Sequence, residues 1–286
     1  LGVEKGTKVG LFLPNSPTFI IYYYAVLRIG GIVVNYNPLY TIDELTFQVS
    51  DSDTEIMVTL DLKVLFDKIE ALLAAGVLSR AIVASFTELL PPTKAALFKL
   101  FKSKELARPL ASAQTAKITL ERALSAEAAV LQVTIAPTDD IAVLQYTGGT
   151  TGTPKAAMLT HANLTTNALQ VASWAPELVD GEESIVAALP FFHVFAMTVV
   201  MNLGIAKAAK LLIMPRFVLN DALKLIHSSK PTIMPGVPTL FNAIANHPQV
   251  ETYDLASLSF CISGGAPLPV EVKDKFEQVT GCTIVE

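Results

Sequence analysis

The stretch that decides the fold lies near the middle of the chain, where residues 146–155 read Y-T-G-G-T-T-G-T-P-K. It follows the apolar run I-A-V-L-Q-Y at 141–146, whose composition is typical of a buried strand. Glycine lets the backbone take positive φ and approach a ligand closely, and successive N–H groups can then form an anion-binding nest. Thr147, Thr150 and Thr151 add hydroxyl groups, and Lys155 adds a positive charge. This stretch therefore predicts a binding site for a polyphosphate.

Two other interpretations of this stretch are open. A glycine- and threonine-rich surface turn has a similar composition, but it does not need hydroxyl donors and a cation in so short a span. The P-loop of nucleotide-binding proteins, G-x-x-x-x-G-K-[ST], has glycine before its lysine and Ser or Thr after it. Pro154 and Ala156 occupy those positions here, so an ordinary P-loop NTPase is disfavoured.

The same residues resemble the signature loop of the adenylate-forming enzymes, which usually reads Y-T-S-G-T-T-G-x-P-K-G. Further motifs in the family's order are L-P-N-S-P at 13–17, N-P-L-Y-T at 37–41, P-F-F-H at 190–193 and S-G-G-A-P at 263–267. Gly148 in place of serine is a variant of the long-chain fatty-acyl-CoA synthetases, which this sequence resembles most closely. Ala156 in place of glycine concerns the fine geometry of the loop and not phosphate binding.

The resemblance implies a chemistry. Adenylate-forming enzymes activate a carboxylic acid with ATP to give acyl-AMP and pyrophosphate, and the CoA ligases among them then transfer the acyl group to CoA. We therefore expect a fatty-acid–CoA ligase, an acid–thiol ligase that uses ATP, Mg²⁺ and CoA. The resemblance assigns nucleotide binding to Thr147, Gly148, Gly149, Thr150, Thr151, Gly152 and Lys155, with Thr151 and Lys155 also catalytic.

His193 is the only ionisable side chain between Ile185 and Ala206. A lone histidine among apolar residues is more often a packed core residue than a catalyst. The family motif P-F-F-H, however, places this histidine beside the acyl carboxylate and the phosphate. The resemblance therefore implies a catalytic His193 in an acyl pocket that includes Phe195, Ala196, Met197, Val237 and Thr239.

Residues 264–267 of the motif S-G-G-A-P follow a predicted strand at 259–263. Small residues at the carboxyl end of a strand let a flat base lie against the backbone, and ligands of α/β sheets bind at such ends. Taken alone, this stretch is a plain turn as often as a binding loop. The resemblance assigns adenine contact to Gly264, Gly265, Ala266 and Pro267.

The composition excludes some classes of protein. A net charge of −5 gives no electrostatic reason to expect a nucleic-acid partner. Cys261 and Cys282 have neither metal-site spacing nor a disulfide framework, which favours a reducing cytoplasm. Residues 185–206 are long enough to span a bilayer, but Pro190 interrupts them, so we predict buried core there.

A basic amphipathic segment occupies residues 94–108. Leu97, Phe98 and Phe101 would share one face of a helix, and the cations are Lys94, Lys99, Lys102, Lys104 and Arg108. One interpretation is a solvated helix docked by its apolar side. The other is peripheral contact with an anionic membrane, at the inner membrane surface, where a lipid substrate resides.

Short apolar runs alternate with helical patterns, which predicts a layered α/β fold with largely parallel strands. Ser16 followed by Pro17, and T-I-D-E at 41–44, predict helix starts. Strands are predicted at 8–13, 55–60, 81–84, 184–189 and 231–234, and Asn220 and Pro238 are expected to begin helices.

The resemblance covers essentially the whole chain and implies a partial N-terminal adenylation domain with αβαβα layers, residues 1–286, truncated at both ends. We expect two similar subdomains, 1–32 with 180–286 and 33–179. The family's magnesium-binding glutamate and its mobile C-terminal domain are expected beyond Glu286, so this chain alone should not turn over. An aryl- or medium-chain acyl-CoA ligase and a non-catalytic nucleotide- or lipid-binding scaffold remain alternatives, and the oligomeric state is not predicted.

Overall fold

The computed structural model describes residues 2–124, 133–147 and 154–286. The chain forms two compact units, Leu1–Ala162 and Asn163–Glu286. Each unit is built on a sheet of mostly parallel strands with helices between them. The predicted α/β class is confirmed.

The sheet of the first unit has seven strands within the described residues. They are β1 (Lys8–Leu11), β2 (Ile32–Asn35), β3 (Ile56–Leu60), β4 (Arg80–Ala84), β5 (Ile118–Leu120), β6 (Ile141–Thr147) and β7 (Lys155–Thr160). Their order is β5-β4-β3-β1-β2-β6-β7, and each neighbouring pair is parallel except β6 and β7. The inner strands β2 and β3 are buried along their whole length, as expected for a parallel sheet covered on both faces.

The α-helices of the first unit are α1 (Pro17–Arg28), α2 (Ile42–Ser52), α3 (Lys63–Ala74) and α4 (Pro92–Phe101), and α5 (His161–Trp174) begins in this unit and continues into the second. Helices α1 and α2 begin where the sequence predicts. The Ser16 hydroxyl accepts the backbone N–H of Phe19 at 3.3 Å. The Thr41 hydroxyl accepts the N–H of Glu44 at 3.3 Å, and the Glu44 carboxylate accepts the N–H of Thr41 at 2.7 Å. The predicted capping box is confirmed.

The second unit contains a smaller, fully parallel sheet. Its strands in the described residues are β8 (Ser184–Ala187), β9 (Lys210–Ile213), β10 (Ile233–Gly236), β11 (Phe260–Ser263) and β12 (Ile284–Val285), in the order β12-β11-β10-β8-β9. Its longer helices are α8 (Leu219–Ser229), α9 (Pro238–Ala245) and α10 (Val270–Thr280). Gly281 ends α10 at a φ of +74°, a conformation that favours glycine.

The apolar run at 185–206 is a strand, a loop and a helical segment. After β8 the chain forms α6 (Val194–Ala196), a π-helix over Met197–Asn202, and α7 (Leu203–Ala206). Every residue of the π-helix is buried. No helix in the described part of the chain is long and apolar enough to cross a membrane.

The predicted subdomain boundaries are wrong. Strand β1 pairs in parallel with both β2 and β3, so residues 1–32 belong to the first sheet and not with residues 180–286. The division between the units falls after Ala162, so residues 163–179 belong to the second unit. The grouping of β1 depends on pairing with distant strands, which local sequence patterns do not reveal.

Three local differences also stand out. Strand β7 was not predicted, because K-A-A-M-L-T has little strand character without its antiparallel partner β6. Asn220 was expected to begin a helix, but α8 begins one residue earlier, at Leu219, and Val218 is its N-cap residue. In the basic segment, α4 exposes 55% of Leu97 and 76% of Phe101, so the interpretation that its apolar side is docked is wrong for these residues.

Candidate active site

The β6–β7 hairpin brings together the two described ends of the glycine- and threonine-rich loop. Thr147, the last residue of β6, lies opposite Lys155, the first residue of β7. The Thr147 hydroxyl donates to the backbone carbonyl of Lys155 at 3.3 Å. The predicted binding residues Gly148, Gly149, Thr150, Thr151 and Gly152 lie outside the described residues. The hairpin thus fixes where the loop leaves and rejoins the sheet.

Lys155 is exposed, and its ammonium group has no ion-pair partner among the residues that the structure describes. An unpaired ammonium at the end of this hairpin is available to an anionic ligand. The sequence predicted this role, and the structure adds the position of Lys155 directly across the ladder from Thr147.

Buried polar groups hold β6 in place beside the loop. The Asn35 side-chain amide donates to Gln145 Oε1 at 3.1 Å, and Gln48 Nε2 donates to the backbone carbonyl of Asn35 at 2.9 Å. The Tyr146 hydroxyl donates to the Asp51 carboxylate. Burial, together with Asp51, raises the pKa of Tyr146 well above its ordinary value. Sequence reasoning missed these residues, because the partners lie far apart along the chain.

In the second unit, His193 stands at the start of the helical segment that follows β8. The backbone N–H of His193 donates to the backbone carbonyl of Pro190 at 3.1 Å, and the backbone carbonyl of His193 accepts the N–H of Met197 at 2.9 Å. The imidazole lies against Phe192 with ring centroids 4.3 Å apart, and the residue is exposed. Desolvation by its apolar surroundings lowers the pKa of His193, so the ring is neutral at pH 7.

Neither ring nitrogen of His193 has a hydrogen-bond partner within the described residues. A neutral imidazole can donate one hydrogen bond and accept another. His193 can therefore bond to an oxygen of a bound acid or phosphate without adding a charge.

The loop after β11 lies against the end of β10 and the ring of Phe195. The Gly264 N–H donates to the carbonyl of Gly236 at 3.1 Å. A Cβ atom on Gly264 would lie 2.8 Å from the Phe195 ring, closer than real Cβ contacts. Gly265 has a φ of +81°, which favours glycine, and a Cβ there would lie 3.5 Å from Val237. The structure therefore brings Phe195 and Val237 to the predicted adenine loop.

The other predicted pocket residues are placed differently. Ala196 and Met197 are completely buried in the core of the second unit, whereas Thr239 is exposed on the first turn of α9. Gly265, Ala266 and Pro267 of the adenine loop are also exposed. The surface available to a ligand is thus formed by Phe195, Val237 and the loop.

Ser263 is a further candidate; it begins the S-G-G-A-P motif, but the sequence alone assigned it no role. It ends β11 directly before Gly264, is 3% exposed, and its hydroxyl has no hydrogen-bond partner among the described residues. A buried polar group without a partner costs about 1–3 kcal/mol. A ligand that hydrogen-bonds to the hydroxyl would remove this cost.

A metal site is not formed by the described residues, among which no three His, Cys, Asp or Glu side chains are grouped as ligands.

These features are typical of a nucleotide-binding enzyme domain. They are the parallel α/β units, the hairpin at Thr147 and Lys155, and the glycine loop after β11. The chain belongs to the AMP-binding enzyme family, whose model matches residues 1–286.

Its relatives include CoA ligases. The chain is 41% identical to the long-chain-fatty-acid–CoA ligase of Bacillus subtilis over 288 residues, which cover 100% of this chain and 51% of the relative. The crystal structure of a long-chain-fatty-acid-CoA ligase from Archaeoglobus fulgidus is similar with a TM-score of 0.75 and 26% identity, covering 97% of this chain and 50% of that one. ATP-bound MatB from Rhodopseudomonas palustris gives a TM-score of 0.75 and 26% identity, covering 99% and 49%. The chain spans about half the length of these relatives.

Proposed function

We propose that this chain is part of a fatty-acid–CoA ligase that acts on long-chain acids. The acid and ATP give acyl-AMP and pyrophosphate, and the thiol of CoA then displaces AMP to form the thioester. The observation that carries this proposal is the hairpin that sets the Thr147 hydroxyl and the unpaired Lys155 ammonium at the two ends of the loop. The family and the 41% identical ligase support the choice of reaction.

Lys155 and the loop are proposed to bind the phosphates. Charge builds up on pyrophosphate as it leaves, and preorganised donors and cations aimed at that charge lower the barrier. Thr150 and Thr151 supply hydroxyl donors, and the Thr147 hydroxyl would turn from the Lys155 carbonyl to a phosphate when the ligand binds. Gly148, Gly149 and Gly152 let backbone N–H groups approach the phosphates. Thr151 and Lys155 are the residues for which we propose a direct effect on rate.

His193 is proposed to hold the acid. Its lowered pKa keeps the imidazole neutral, so it can donate a hydrogen bond to the carboxylate or to the α-phosphate while the two are held in line. A protonated imidazole would instead form an ion pair with the free carboxylate and weaken it as a nucleophile.

The acyl chain and the adenine are proposed to occupy the second unit. Phe195 and Val237 present apolar surface, and Gly264, Gly265, Ala266 and Pro267 provide a flat backbone surface for the base. Ala196 and Met197 then act as the packed support of Phe195, and Thr239 lies at the exposed rim.

ATP and CoA are the proposed cosubstrates. ATP is bound in the similar structure of MatB, and CoA ligation is in the name of the Bacillus subtilis relative. Bound Mg²⁺ would neutralise phosphate charge, which is worth several kcal/mol in such reactions.

The test is an exchange assay on the full-length enzyme with a series of acids. Pyrophosphate should exchange into ATP in the presence of hexadecanoate, and CoA should then yield the thioester. Faster turnover of an aryl acid or of octanoate would favour the aryl- or medium-chain alternative. Binding of ATP without any exchange would favour a non-catalytic scaffold.

Peripheral membrane contact through residues 94–108 is a second proposal, for a cytoplasmic enzyme at the inner membrane surface. The observation that favours it is the exposure of apolar side chains next to lysines on α4, including 71% of Leu100. Basic residues near an anionic surface contribute about 1 kcal/mol each. Binding to anionic vesicles that weakens with salt would support this contact.

A further inference from the structure

A cavity lies at the carboxyl ends of three adjacent parallel strands of the first unit. Strands β3, β4 and β5 lead directly into Asp61, Ser85 and Glu121, and all three of these residues line the cavity. Its volume is about 400 Å³, which is in the range of small-molecule sites. Crevices at the carboxyl ends of parallel strands are where α/β sheets bind ligands. None of the residues proposed for adenylation lies in it.

Two of the carboxylates in this cavity are already hydrogen-bonded within the protein. Asp61 accepts the backbone N–H of Phe86 at 2.7 Å. Glu121 accepts the hydroxyl of Tyr22. Burial, with a smaller effect of Glu88, raises the pKa of both Asp61 and Glu121. Neither carboxylate is therefore a strong site for a cation.

The cationic side chains of the cavity, in contrast, are free. Lys99, Arg108 and Arg122 line it, and within the described residues none of them has a side-chain hydrogen bond or ion pair. Glu88 also lines the cavity, and within the described part of the chain its carboxylate accepts no hydrogen bond from the protein. The groups left for a ligand are thus several cations and one acceptor. They fit an anion that also carries hydroxyl groups.

Apolar surface adjoins these charges. Lys99 belongs to α4, whose Leu97, Leu100 and Phe101 are exposed. The helix is held to the first unit by Phe98, which packs edge-on against Phe86 with ring centroids 5.0 Å apart. Leu110, at the wall of the cavity, is 63% exposed. An amphiphile can therefore place its polar group in the cavity and its tail against α4.

We infer that this cavity binds the phosphoglycerol headgroup of an anionic phospholipid in a bilayer. The phosphate bonds to Lys99, Arg108 and Arg122, the glycerol hydroxyls donate to Glu88, and the apolar side chains of α4 enter the outer hydrocarbon region. This inference rests on the proposed membrane contact and gives it a specific lipid. It predicts recognition of a headgroup, which a merely basic surface would not provide.

The test compares two anionic lipids of equal charge, with a lipid of no net charge as the reference. Vesicles containing phosphatidylglycerol, phosphatidylserine or only phosphatidylcholine are sedimented with the full chain. Phosphatidylserine carries an ammonium group that meets three cations against the single free carboxylate of Glu88, so phosphatidylglycerol should bind severalfold more tightly. The double variant Lys99→Ala/Arg122→Ala should lose this preference. Lys94→Ala is the matched control, since Lys94 lies on α4 but does not line the cavity. It should weaken binding to both anionic lipids equally.

Equal binding to the two anionic lipids would overturn the inference, and so would a preference that survives the double variant. Tight binding of soluble glycerol 3-phosphate would also overturn it, because the occupant would then be a free metabolite. Thermal unfolding should confirm that the variants are folded, which is expected because these side chains are exposed. Pyrophosphate exchange without vesicles should be unchanged in all of them. The ligase proposal is therefore tested separately.

Discussion

The ring of Phe195 occupies the space where a side chain on Gly264 would begin. A Cβ atom there would lie 2.8 Å from the ring, so Gly264→Ala must displace Phe195. We expect a higher KM for ATP and a loss in kcat/KM of about tenfold or more, because small displacements of positioning groups are costly. Steady-state kinetics of the full-length enzyme would measure this effect.

The control for Gly264→Ala is the double variant with Phe195→Ala, which removes the ring that the new methyl group would strike. If the clash is the cause, the double variant should bind ATP better than Gly264→Ala alone. An equal or larger loss would show that the methyl group meets the nucleotide itself.

Lys155→Ala should mainly slow adenylate formation. The ammonium is unpaired in the described residues, and Lys155 stands across the hairpin from Thr147. Its loss should therefore remove positive charge from the proposed phosphate site. Removing one preorganised group of this kind costs about 10²–10³ in rate. Pyrophosphate exchange would measure it, and Lys155→Arg, which keeps the charge, should retain more activity. Unchanged exchange in Lys155→Ala would remove this residue from the mechanism.

The sequence predicted what short-range patterns control. Ser16 and Thr41 begin helices through contacts within a few residues, so their roles are visible in the sequence. The position of β1 depends on pairing with β3, more than 40 residues away, and it was assigned to the wrong unit. The same applies to the candidate site. Motif residues such as Gly264 were recognised, whereas the contact between Tyr146 and Asp51 arises only when distant segments meet.

The lowered pKa of His193 predicts a pH dependence of stability. Its folded pKa lies below the ordinary value of 6.5, so the unfolded chain binds more protons between these two values. Stability should therefore fall as the pH decreases through this window, and the loss should be complete below the folded pKa. Compared with His193→Gln, the wild-type protein should lose more stability between pH 7 and about pH 5 in urea unfolding experiments.

His161 also has a lowered pKa, but it is present in both proteins, so its effect cancels in the comparison. Parallel curves for wild type and His193→Gln would mean that His193 titrates normally. In that case its neutrality at pH 7 could not be attributed to its surroundings.

The buried, unpartnered hydroxyl of Ser263 predicts that Ser263→Ala raises the stability of the ligand-free protein and lowers the stabilisation by ligand. Ser263→Ala removes a buried polar group that has no partner in the described residues, so the ligand-free protein should become more stable, by about 1 kcal/mol. If the hydroxyl bonds to the nucleotide or acyl-adenylate, the same substitution should reduce the rise in melting temperature that ATP or a non-hydrolysable acyl-adenylate analogue produces. Thermal unfolding with and without ligand would measure both effects.

Ser257→Ala is the matched control for this experiment. Its hydroxyl is also buried without a partner in the described residues, but it precedes β11, whereas Ser263 ends that strand beside Gly264. Ser257→Ala should also stabilise the free protein, and it should leave the response to ligand unchanged. If the two variants respond alike to ligand, the hydroxyl of Ser263 makes no contact in the bound state. A loss of stability in Ser263→Ala would indicate that the hydroxyl already has a partner in solution, such as a bound water.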